Sequence, residues 1–230
     1  MVNTREFWER SAKAYDRIIG SYSRNRTLID LHATALENSS FVLDSGSGPG
    51  HLTEKLLDRK HRVYSLDINM TSLRLLQSRR EYDKNLSIQC GDATRLPYTD
   101  NAFDGVSSMS VLWAIEDPGL YLREHRRVLK PKGKLVLSGP GPETKATIQD
   151  GTQLDAIRKD LEDQRLFPEI QDSWNQFVEY VKQNMNKTAE NWFTQGEITK
   201  LLESTGFAVI SMRSNPLYLD QGYVTVARVH

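Results

Sequence analysis

Asp44 stands at the mouth of a glycine-rich turn, VLDSGSGPG (residues 42 to 50), directly after a short apolar run. Gly46, Gly48 and Gly50, with Ser47 between the first two, leave room for close approach of a ligand to the backbone or for positive φ. The competing reading of these residues is a tight strand-to-helix turn with no ligand. The dinucleotide pattern G-x-G-x-x-G needs a glycine at 51, where His51 stands, and the Gly-Lys-Ser/Thr ending of a phosphate-binding loop is missing. A pyrophosphate would also meet Asp44 with like charge. A carboxylate here suits a ligand with an ammonium or sulfonium group, held directly or through water. S-adenosylmethionine carries both cations. Asp67 ends the next apolar run, where an acid in this kind of topology accepts hydrogen bonds from ribose hydroxyls. Asp92, in CGDA, is placed to accept the exocyclic amine of adenine. Each acid alone is more often a helix cap or turn residue; three at the ends of three successive strands are much less easily dismissed.

The elements that must carry these residues are legible as alternation. Apolar runs at FVLD (41 to 44), HRVYSLD (61 to 67), LSIQC (86 to 90), FDGVSSMS (103 to 110) and GKLVLSG (133 to 139) read as buried strands. Helical patterns are expected between them: Leu52, Leu56 and Leu57; Leu73, Leu75 and Leu76; Leu122, Val128 and Leu129 with Pro131 and Gly133 as a stop. Such alternation predicts an α/β fold, a doubly wound, mostly parallel seven-stranded Rossmann-like sheet. Residues 142 to 193 show two helical patterns, Leu154-Ile157-Leu161 and Trp174-Phe177-Val178-Val181-Met185, read as an inserted lid. Thr194 to Glu197 reads as a capping box, and FAVISMR and GYVTVARV as a closing antiparallel pair. The expected organisation is one domain over 1–230: a helical cover (1–40), a binding core (41–141), lid helices (142–193) and a C-terminal helix with two strands (194–230).

Lys plus Arg equals Asp plus Glu at 30 each, so no global field favours nucleic acid or an anionic membrane. No Lys/Arg cluster interleaves with a stacking platform, and no apolar stretch spans a bilayer. With no apolar leader in MVNTREFWERSAKAYDR, a cytoplasmic protein is expected, a monomer or homodimer with neither nucleic-acid nor membrane partner. The single cysteine, Cys90, excludes an intramolecular disulfide and a cysteine metal cluster, and reads as a buried strand residue.

VLDSGSGPG, VYSLDIN, CGDATRLPYTDNAFDGVSSMSVLWAIEDP and LREHRRVLKPKGKLVLS, in that order, resemble the class I S-adenosylmethionine-dependent methyltransferases. The likeness is nearest to the small-molecule branch that includes the ubiquinone and menaquinone biosynthesis enzymes, and FWERSAKAYDR and FTQGEITKLLESTGF extend it loosely. It implies that Gly46, Ser47, Gly48 and Gly50 line the methionine moiety with Asp44 near its amino end. Asp67 would bind the ribose, Ile68, Asp92 and Ala93 the adenine; Ser110 would lie beside the methyl-donor end and Tyr15 would cover the cofactor. Many relatives have Glu-His or His-His where this chain has Trp113-Ala114, which speaks against a metal-assisted reaction; no metal is expected.

The implied reaction moves a methyl group from S-adenosylmethionine to a small-molecule acceptor by in-line displacement, largely by positioning. Other chemistry on the same cofactor, such as carboxy-S-adenosylmethionine formation or aminopropyl transfer, and a non-catalytic cofactor-binding subunit are the alternatives. No convincing general base is present. Tyr15, Tyr22, Tyr98 and His51 are candidates, although His51 reads better as shaping the cofactor site. His32, His61, His125 and His230 are expected in solvated helical or strand-edge positions. The absence of a base favours an amine, a carboxylate or an already acidic carbon or oxygen as acceptor. Trp8, Trp113, Trp174, Phe177 and Trp192 either wall an apolar acceptor pocket or pack the lid onto the core.

Overall fold

The computed structural model describes residues 4–184 and 191–229, with side chains from residue 12 onward except those of 180, 183 and 184. Two helices, α1 (Thr4–Ser21) and α2 (Ser23–Ala35), precede β1 (Phe41–Ser45), α3 (His51–Asp58), β2 (Arg62–Asp67), α4 (Met70–Arg79) and β3 (Leu86–Cys90). Next come β4 (Phe103–Met109), α5 (Pro118–Val128) and β5 (Leu129–Gly139). Three helices follow, α6 (Pro142–Gln149), α7 (Thr152–Asp163) and α8 (Phe167–Asn184), then α9 (Gln195–Ser204), β6 (Phe207–Arg213) and β7 (Tyr223–Val229).

The strands form one seven-stranded sheet in the order β3-β2-β1-β4-β5-β7-β6. Pairing is parallel from β3 through β5, and β7 runs antiparallel to both β5 and β6. This is the doubly wound sheet with an antiparallel closing strand that the sequence pattern predicts. The strand order reverses between β1 and β4, so the crevice beyond their carboxyl ends is the place where such a sheet binds a ligand. Central strands are apolar on both faces because helices cover both: Val42, Leu43, Val106, Leu135, Val136 and Leu137 are fully buried.

Local chemistry sets the helix ends. Asn69 accepts from the backbone N–H groups of Thr71 and Ser72 to start α4, and Asp117 accepts from Leu120 N–H to start α5, with Pro118 at its first position. Thr194 and Glu197 make the reciprocal capping box of α9, and Gly206 follows that helix at φ +88°.

Several expectations are corrected. The β3-to-β4 connection, residues 91 to 102, carries no helix. Its sequence, GDATRLPYTDNA, is dense in turn formers, and it is held instead by α5: Glu124 accepts from Leu96 N–H at 2.9 Å while Arg127 donates to Leu96 O and Tyr98 O. Residues 142 to 184 hold three helices rather than two patterns, α6 starting at Pro142 with only Thr144 buried, too little apolar surface to show a period. Cys90 is half-buried, because β3 is an edge strand. His32, His61 and His125 are not solvated but buried at 0%, 4% and 0% exposure. Each has a polar partner inside: His32 Nδ1 meets Ser107 Oγ, His61 Nδ1 meets Ser39 O, and His125 bridges Tyr121 O and Ser45 Oγ. His230 lies outside the described residues. Among the described residues no helix is long and apolar enough to cross a membrane.

Candidate functional site

The turn between β1 and α3 is stitched to the end of β2: Gly46 N–H and Ser47 N–H both donate to Leu66 O, at 2.7 and 3.0 Å. All three glycines have positive φ, +73°, +54° and +90°, but they do different things. A Cβ on Gly46 would lie 2.3 Å from Val111, and one on Gly50 would lie 2.5 Å from Leu76 on α4. A Cβ on Gly48 meets nothing within 4 Å. Gly46 and Gly50 therefore let elements pack, whereas Gly48 leaves open space in front of the turn.

That space is a cleft above the ends of β1, β2, β3 and β4. It gathers Tyr15, Gly46, Gly48, Asp67, Ile68, Asp92, Ala93 and Ser110, eight of the residues singled out for the cofactor. Asp44, Ser47 and Gly50 are not among its lining residues. Sequence reasoning missed Ala12, Pro49, Asn69, Ser72, Met109 and Ala114, which also line it. Ala12, Pro49, Met109 and Ala114 are small or apolar and carry no chemical signature; Asn69 and Ser72 are polar, and Asn69, two residues past Asp67, is engaged as the cap of α4.

Asp67 is central. Its Oδ2 accepts from Gly48 N–H at 2.7 Å and its Oδ1 from Asn69 N–H at 2.8 Å. Burial raises its pKa, and these N–H donors pull back in the other direction. Asp92 accepts from the N–H and the hydroxyl of Thr94, both at 2.8 Å. Asp44 sits beneath the turn at 1% exposure, accepting from Thr53 Oγ1 at 2.6 Å, with Ser65 Oγ 2.9 Å beyond. Burial lifts its pKa to about 7, and the nearby Asp67 adds to the rise against the Thr53 hydrogen bond.

Ser110 adopts φ +58°, rare for a residue with a Cβ, and its hydroxyl is buried without a well-formed partner. Tyr15 reaches the cleft from α1, which is fastened there by Asp16: its carboxylate meets Arg79 Nη1 at 3.2 Å and His51 Nε2 at 3.1 Å. Arg79 also donates to Pro49 O in the glycine turn. His51 thus faces Asp16, its ring filling the space a Cβ on Gly20 would need, and is not turned to the cleft. Tyr22 is 1% exposed in the core between α1, α7 and α8, and burial pushes its pKa up to about 12. Neither stands where a general base is needed.

Of the aromatic residues, Trp174 and Phe177 are buried at 7% and 5% and pack α8 against α1. Trp113 donates through Nε1 to Ser110 O at 3.0 Å, and its ring lies 6.1 Å from that of Trp192. The pair flanks the wall formed by Ala114 and Ile115, which Asn191 pins by donating to Ile115 O at 2.5 Å. The side chain of Trp8 lies outside those described.

The fold and the cleft define the class: a doubly wound sheet with an acid-lined, glycine-floored crevice at its switch point. A family profile for the methyltransferase domain matches residues 43–137. The demethylmenaquinone methyltransferase of Lactobacillus johnsonii is 30% identical over 73% of this chain and 67% of its own length. The biotin biosynthesis bifunctional protein BioHC of Saccharophagus degradans is 32% identical over 58% of this chain, which spans only 24% of that longer protein. The structure of Burkholderia thailandensis 1,6-didemethyltoxoflavin-N1-methyltransferase, with bound 1,6-didemethyltoxoflavin and S-adenosylhomocysteine, has the same fold. It matches with a TM-score of 0.60 at 17% identity, covering 95% of this chain and 87% of that one. The chain belongs to the S-adenosylmethionine-dependent methyltransferases, and S-adenosylmethionine is the cofactor that this membership assigns to it.

Proposed function

We propose that this protein transfers a methyl group from S-adenosylmethionine to a small-molecule acceptor, leaving S-adenosylhomocysteine, with residues 1–230 acting as one domain. The observation that carries the reading is the charge of the cleft. Its charged lining residues among those described are two carboxylates, Asp67 and Asp92, with no Lys, Arg or His. That lining suits an adenosine ligand bearing positive charge and no phosphate. The open space before Gly48, the half-exposed apolar Ile68 and the buried, poorly partnered Ser110 hydroxyl fit such a ligand.

When bound, the cofactor supplies an electrophilic methyl group on a sulfonium. The chain's own task is positioning. Asp67 and Asp92 hold the adenosine end, and Tyr15 on α1 closes over it. Holding reactants in line in this way contributes roughly 7–11 kcal/mol to such a displacement.

Calorimetric titration with S-adenosylmethionine, S-adenosylhomocysteine and NAD tests the reading. Binding of the first two and not NAD is expected; binding of NAD alone overturns it. Mass analysis of turned-over cofactor separates methyl transfer from carboxyl or aminopropyl chemistry.

A further inference from the structure

We infer that Asn191 is a positioning residue for the reaction: from the segment leading into α9 it holds the wall of the cleft formed by residues 110–115 against the cofactor. This rests on the reading of the cleft as the S-adenosylmethionine site.

The wall begins where the sheet stops. Ser110 N–H donates to Ser138 O at 3.0 Å, just beyond the last paired residues of β4 and β5, and Ser110 then turns the chain out of the sheet at φ +58°. Ser110, Val111, Ala114 and Ile115 all line the cleft. Outside the sheet the carbonyls of this stretch have no ladder partners and must find others. A short 3-10 turn, Leu112–Ala114, satisfies two of them internally: Ala114 N–H donates to Val111 O at 3.0 Å and Ile115 N–H to Leu112 O at 3.2 Å. Trp113 folds back and donates through Nε1 to Ser110 O at 3.0 Å.

Asn191 takes the remainder. Its backbone N–H donates to Trp113 O at 3.0 Å, and its side-chain amide donates to Ile115 O at 2.5 Å and to Leu112 O at 3.4 Å. One half-buried residue, 76 positions from Ile115, thus answers three carbonyls of the wall. Its neighbour Trp192 packs on Trp113, with ring centroids 6.1 Å apart and planes 35° from parallel, within the range of aromatic pairs. On the other side the wall meets the glycine turn, where Val111 fills the space beside Gly46. The wall is therefore held between the turn that floors the cleft and the Asn191 clasp.

In that clasp the donor matters, not the volume. Two carbonyl oxygens within reach fix which amide atom is the nitrogen, and only a group that donates there holds the wall. Aspartate has the same size and shape but turns lone pairs toward those oxygens, whereas alanine leaves the place to water. A residue that merely filled space would rank the two substitutions in the opposite order. Linkage adds a second consequence: whatever loosens the wall weakens the ligand, and the bound ligand protects the wall's amides from exchange.

The test compares the wild-type chain with Asn191→Asp, Asn191→Ala and Thr194→Ala, by calorimetric titration with S-adenosylhomocysteine and by amide hydrogen exchange read with mass spectrometry. Asn191→Asp is expected to lower the affinity about tenfold and Asn191→Ala less, the scale of one hydrogen bond expressed in a binding constant. In the ligand-free chains, peptides covering 111–115 should exchange faster in the same order while those of β1 and β4 do not change. Saturating S-adenosylhomocysteine should slow exchange of 111–115 in the wild type. Thr194→Ala removes the cap of α9, three residues on, and should lower the melting midpoint by about 2–4 °C yet leave S-adenosylhomocysteine affinity unchanged. Affinity unmoved in Asn191→Asp, an alanine variant that binds more weakly than the aspartate one, or an equal loss in Thr194→Ala overturns the proposal, as does unchanged exchange at 111–115 in both Asn191 variants. Failure of the wild-type chain to bind S-adenosylhomocysteine instead overturns the reading of the cleft, while exchange in the ligand-free chains still decides whether Asn191 holds the wall.

Discussion

The carboxylate of Asp67, at the end of β2, accepts a hydrogen bond from the backbone N–H of Gly48 at 2.7 Å. The acid that faces the cleft and the glycine that floors it are thus one unit: the glycine turn holds its shape partly because the acid is there. Asp67→Ala is expected to remove a cofactor contact and loosen the turn together, weakening S-adenosylhomocysteine binding at least about tenfold, as loss of a hydrogen bond to a charged group does. Calorimetry reads the affinity and thermal unfolding the fold, which should persist.

Gly48 and Gly46 should separate in their effects. Gly48→Val projects a side chain into open cleft, so cofactor binding should be lost with a stability cost of about 1–2 kcal/mol from its positive φ alone. Gly46→Ala drives a Cβ against Val111 at 2.3 Å and should cost more in denaturant stability than Gly48→Ala does. Equal stability losses for the two alanine variants would sink this division.

Asp44 makes the fold pH-dependent with a definite sign. Its carboxyl titrates near 3.8 in the ordinary state and about 7 in the folded one, so the folded chain holds the extra proton between those values. This contribution is fully present below about pH 4 and is lost as pH rises through about 7. Urea unfolding of Asp44→Asn at pH 5 and pH 8 should show the variant gaining on the wild type with rising pH, by roughly 1–3 kcal/mol.

His125 acts in the opposite direction. Burial lowers its pKa from 6.5 to about 4, so its contribution is present above pH 6.5 and is lost as pH falls through about 4. His125→Leu should be less stable at pH 7, because Ser45 Oγ loses its partner, yet lose less between pH 6.5 and 4 than the wild type. Parallel acid unfolding curves would contradict this.

The Asp16 fastening of α1 should govern exchange of the cofactor more than the stability of the fold. Arg79→Ala and Asp16→Asn remove partly exposed ion pairs worth about 0–1 kcal/mol each, so melting should shift little. Stopped-flow displacement of S-adenosylhomocysteine should nevertheless show faster release, since Tyr15 rides on α1.

Much of the fold is written in short-range pattern. Strand runs, the Asn69, Asp117 and Thr194 caps and the positive-φ glycines follow from neighbours a few residues apart, so the sheet, its antiparallel closing strand and the position of the glycine turn are legible from sequence. The acids of the crevice are legible too, because a strand end is a local event.

What faces what is another matter. Asp44 and Asp67 end adjacent strands, yet one is sealed beneath the turn against Thr53 and the other opens to the cleft; packing of α3 decides it. Trp174 and Phe177 have the spacing of a buried stripe, and α1 determines that they serve the core. His125 stands between Glu124 and Arg126 and His32 between Leu31 and Ala33, yet both are buried and meet Ser45 and Ser107, 80 and 75 residues away. Periodicity states that a residue has an inner face; only the meeting of distant elements, with desolvation set by their packing, states what lies inside it.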